Sequence, residues 1–112
     1  CHDGSPLTAA DVVYSFKRAN DDANGFTGHV AGYVMDALGY VDARVESEYE
    51  ATVVMRQYNP LAIGLISDVW LLCEETYEAL GLEGATTQVV GSGPYRVVEW
   101  VKDDYFLVEK WE

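Results

Sequence analysis

The chain has 112 residues, enough for one domain that buries roughly two thirds of its unfolded surface, and its 49% hydrophobic and 12% aromatic content excludes a disordered polymer. Nineteen acidic against seven basic residues give a formal charge of -12, a field that repels nucleic-acid phosphates and anionic lipid headgroups. No apolar run approaches the roughly 18 residues of a spanning helix, and no signal peptide is visible.

Thr8, followed three residues on by Asp11, makes a capping box with aspartate in place of glutamate and predicts a helix over 9–20. Val12, Val13, Phe16 and Ala19 fall at helical spacing on its apolar face. Lys17 and Arg18 stand near its end, where the helix dipole favours cations. The run DDANG at 21–25 stops it. Residues 26–38 read as a weaker helix, because Gly28 and Gly32 lower its stability while Val30, Val34 and Leu38 keep a period near four; Gly39 is its stop.

Segments 40–48 and 51–57 carry β-branched residues on either side of a polar SEYE turn and predict an antiparallel hairpin. Pro60 suits the first position of the next helix, with Leu61, Leu65 and Ile66 as its buried side. A short helix over 74–80 ends at Gly81 and a polar loop, EGATTQ, follows. Residues 95–101 and 105–111 then predict a second hairpin across Lys102-Asp103-Asp104. The class is α+β, helices packed on antiparallel hairpins. Cys1 and Cys73 could close one bridge, but their spacing marks neither metal nor redox site and they read as two unrelated thiols.

The stretch GSGPYRVVEW at 91–100 poses a choice between a catalytic loop and a backbone crossing. Gly91 and Gly93 open backbone angles closed to other residues, and Pro94 fixes its own. A phosphate loop needs lysine and Ser/Thr after a second glycine, or a helix following at once, whereas a strand follows here. The block HDGSPLTAADVVYSFKRA, the hairpin leading into YNP, YEALG, GSGPYRVVEW and the closing LVEKW, in that order, resemble the family 5 extracellular solute-binding proteins, the peptide, dipeptide and nickel receptors of ABC importers. Cys1, Ser92 and Lys102-Asp103-Asp104 depart from the family's usual residues.

That resemblance implies a section of the first lobe of a two-lobed, type II periplasmic-binding-protein-like receptor, including its inserted subdomain, with the second lobe absent. It implies that the GSGP block carries the chain back from the subdomain into the main lobe. It also implies capture of a short peptide or related small solute outside the cytoplasmic membrane and delivery to ABC permease subunits, with membrane attachment only through a lipid anchor outside these residues. No cofactor is implied.

His29 and Tyr33, four apart on one helix, point the same way and can reach a ligand cleft, although surface packing is the simpler role. His2 with Cys1 and Asp3 offers adjacent metal donors, but adjacent donors do not converge on one ion and Asp3-Gly4 is a turn dipeptide. Trp100 and Trp111 can stack on a ligand, or more simply serve as core or subdomain-contact residues. For an enzyme, no nucleophile elbow, zinc motif or marked acid pair is present. A stand-alone acidic interaction module is the remaining alternative.

Overall fold

Thr8 heads the first helix as its sequence requires. In the computed structural model, which describes all 112 residues, its backbone N–H donates to Asp11 Oδ2 at 2.7 Å, and its Oγ1 accepts from the N–H of Ala10 at 3.3 Å. Helix α1 runs over Ala9–Asn20 and turns Phe16 fully inward. Contacts divide the chain into two compact units, Thr8–Leu71 and the pair Cys1–Leu7 with Leu72–Glu112.

In the unit Thr8–Leu71, Asp21 caps a tight 3-10 turn over Asp22–Asn24, closed by Gly25 at φ 65°. The predicted weak helix differs from expectation. It is confined to residues from His29 on, and its first part, Val30–Val34, is π-helical before α2 (Met35–Leu38). Gly32 explains part of this. A Cβ there would lie 3.1 Å from the Thr27 carbonyl oxygen, so the glycine permits a close backbone approach as well as weakening a helix. Gly39 ends α2 in the left-handed region at φ 72°.

Strands β1 (Tyr40–Ser47) and β2 (Glu50–Met55) pair antiparallel, with Ala43 opposite Val53 and Ser47 opposite Glu50, as the β-branched runs predict. Helix α3 covers Ala62–Ser67 and starts later than Pro60 would place it. Asn59 accounts for the delay: its Oδ1 accepts from the N–H of Leu61 at 2.9 Å while its amide donates to the Ala37 carbonyl at 2.9 Å. Leu61, expected inside, is exposed, whereas Leu65 and Ile66 pack against the core.

That core is Phe16, Val34, Met35, Leu38, Ala43 and Val69. Each large apolar side chain so buried contributes about 1.5–3 kcal/mol before entropy is counted. Tyr40 stacks on Phe16 with ring centroids 5.9 Å apart, and its hydroxyl is buried without a hydrogen-bond partner. Burial and the nearby Asp42 carboxylate push this phenol's pKa up.

The other unit holds helix α4 (Glu74–Gly84), broken at Gly81, where φ 65° and ψ -174° stop the first helical stretch at the expected glycine. Strands β3 (Tyr95–Val101) and β4 (Tyr105–Lys110) form its hairpin, with Val97 opposite Val108 and Val101 opposite Tyr105. Asp103 takes a left-handed φ of 63° in the turn, a conformation aspartate tolerates better than most residues. Each sheet of the molecule has only two strands, so every strand keeps one unpaired edge. Cys1 and Cys73 are joined in a disulfide, Cα atoms 6.3 Å apart, and are not the separate thiols their spacing suggested.

Candidate functional site

His29 and Tyr33 do come together. Their rings stack at 5.5 Å between centroids and 26° between planes, at the start of the π-helical turn, and both side chains are exposed. The i to i+5 hydrogen bonding widens this turn, and the N–H of Met35 donates to the Val30 carbonyl. Residues four apart still share a side. Asp68, just past the end of α3, places its Oδ2 3.4 Å from His29 Nε2. The sequence gives no sign of Asp68, which stands in the unremarkable run SDVW and reaches His29 only through the fold. Two exposed rings and a carboxylate can offer a ligand stacking area and one anionic acceptor.

The opening turn and the GSGP bend form a second meeting point, inside the unit of Cys1–Leu7 and Leu72–Glu112. The backbone N–H of His2 donates to the Gly91 carbonyl at 2.8 Å. Its ring places Nδ1 3.3 Å from the Gly91 nitrogen and Nε2 2.8 Å from the Gly93 carbonyl oxygen. Trp111 lies beside the ring at 5.4 Å, its backbone N–H donating to the Pro94 carbonyl at 2.9 Å, and the Arg96 guanidinium sits 5.1 Å from the centre of the indole.

Neither Gly91 nor Gly93 has a positive φ, so the expectation that both use angles closed to other residues is corrected. A Cβ at Gly91 would make ordinary contact with the His2 ring at 3.6 Å, and one at Gly93 would meet open space. The chain leaves this unit after Leu7 and returns at Leu72. The bend lies within that one unit.

The adjacent donors around His2 are engaged elsewhere. Cys1 is in the disulfide. Asp3 Oδ1 accepts from the Ser5 hydroxyl at 2.6 Å and the Ser5 N–H at 2.9 Å, and its Oδ2 accepts from the Thr76 hydroxyl. These donors, the Ser5 hydroxyl foremost and Thr76 next, hold the Asp3 carboxyl down at about 2. No group of three or more His, Cys, Asp or Glu side chains is placed to hold a metal ion. Trp100 is not a core residue: it is partly exposed on β3 and meets Phe106 edge to face at 6.0 Å.

Comparison with known proteins agrees with the block order of the sequence. The model of the bacterial extracellular solute-binding proteins, family 5 middle, matches residues 2–112. Proteins of Brucella ovis, Brucella abortus and Brucella suis that carry the provisional name ABC transporter peptide-binding protein are each 28% identical, over 93% of this chain and 20% of their own length. The chain thus spans about a fifth of the length of these curated relatives. As a family, solute-binding proteins of ABC transporters are not enzymes. By a match that runs from His2 to the last residue, the chain belongs to family 5 of the bacterial extracellular solute-binding proteins.

Proposed function

We propose that these residues form part of the first lobe, with its inserted subdomain, of the substrate-binding component of an ABC importer. That component captures short peptides outside the cytoplasmic membrane and delivers them to the permease. The observation that carries this reading is the family match across residues 2–112. The peptide-binding name of the Brucella proteins supports the ligand class. The Cys1–Cys73 disulfide supports the compartment, since such bridges persist in oxidising surroundings and are rare in the cytosol. No helix is long and apolar enough to cross a membrane.

His29 and Tyr33 supply a strip of the ligand-facing wall in this reading, with Asp68 holding the imidazole. Support comes from the exposed, stacked rings and from the π-helical turn beneath them, a geometry often found where function requires it. Isothermal titration calorimetry with a library of two- to five-residue peptides tests both parts. Binding by a receptor containing this segment is expected, and His29→Ala or Tyr33→Ala should weaken it about tenfold at an unchanged melting temperature. Folded protein that binds no peptide overturns the function. Binding at parental affinity in both variants removes the pair from the site and leaves the function standing.

A further inference from the structure

We propose that His2 is a pH-sensitive latch, whose neutral ring fastens the opening turn to the GSGP bend and lets go when it takes up a proton. The partners fix the ring's tautomer. A backbone N–H can only donate, so the nitrogen facing Gly91, Nδ1 at 3.3 Å, must present its lone pair. A carbonyl can only accept, so the nitrogen facing Gly93, Nε2 at 2.8 Å, must carry the hydrogen. One neutral tautomer satisfies both partners at once. The imidazolium satisfies only one, because its Nδ1–H would point at the Gly91 N–H, donor against donor.

The neighbouring charges do not supply a ready counter-ion for that cation. Asp3, next in the chain, already accepts from Ser5 and Thr76. Tyr77 of α4 receives the N–H of Val90 on its hydroxyl, and residues 88–94 carry no ionisable side chain. From the hairpin, Arg96 is paired with Glu109 and lies over Trp111, the ring that also flanks His2. The bend is thereby held by an imidazole whose protonation would set its Nδ1–H against the Gly91 N–H. Opening it would loosen the contact between residues 1–7 and the stretch before β3, while the disulfide still holds Cys1 to Cys73 at the head of α4.

The experiment uses the 112-residue chain and reads the ring and its partner directly. Nitrogen-15 NMR of the imidazole at about pH 7.5 should show the hydrogen on Nε2. On going from about pH 7.5 to about pH 5, exchange of the Gly91 amide, corrected for intrinsic pH dependence, should speed up about fivefold, as expected for one hydrogen bond lost. His2→Asn offers an oxygen acceptor that does not titrate, and should flatten that dependence. A hydrogen found on Nδ1 overturns the latch, and so do superimposable profiles for parent and variant. Should the variant fail to fold, the tautomer and the Gly91 profile of the parent decide alone.

Discussion

Asp3 concentrates three hydrogen bonds on one carboxylate at the surface, two from Ser5 and one from Thr76. Its carboxyl sits at about 2 in the folded chain against an ordinary 3.8. The folded state thus prefers the anion, and the preference stabilises the fold fully above the ordinary value. It fades as pH falls through the window from 3.8 to about 2, where the folded form too becomes protonated. Asp3→Asn should therefore be less stable than the parent near neutrality and converge with it toward about pH 2, as read from urea midpoints across pH. A constant gap between parent and variant would show that these hydrogen bonds do not discriminate between charged and neutral carboxyl.

At the level of elements, the capping box is the clearest link from sequence to structure. Thr8→Ala should lower stability by about 1 kcal/mol, with Thr8→Ser close to the parent, in denaturant titrations of the whole chain. Helix α1 and both hairpins were legible because their determinants are local: a cap three residues from its partner, β-branched runs and polar turns. The π-helical turn was not. Gly28 and Gly32 look like simple weakening of an α-helix, and the approach of Gly32 to the Thr27 carbonyl becomes visible only in three dimensions. Leu61 failed for a similar reason, since Asn59 spends its side chain on Leu61 and Ala37 and starts α3 later than Pro60 suggests. His29 and Tyr33 were found together because four-residue spacing survives the wider turn, but Asp68, 39 residues from His29, carries no local sign.

For the whole molecule, the disulfide is the feature that spacing could not reveal, because 72 residues separate its cysteines. Closing so long a loop in the unfolded chain stabilises the fold by about 2–4 kcal/mol. The unit it belongs to needs this more than the other does, for its buried apolar residues are Cys73 and Tyr77 alone, and its hairpin leaves Tyr95, Trp100, Phe106 and Leu107 exposed. Reduction, or Cys1→Ser with Cys73→Ser, should lower the urea midpoint and speed hydrogen exchange in α4 well before it affects the Phe16–Leu38 core. Equal protection of α4 in both redox states would show that the bridge is dispensable. The split at Leu7 and Leu72 carries one more consequence, for the order of assembly. Residues 8–71 are consecutive, so during synthesis they can collapse as soon as they clear the ribosome. Residues 1–7 must wait for partners made dozens of codons later, so they find their place after the stretch that follows them in the chain.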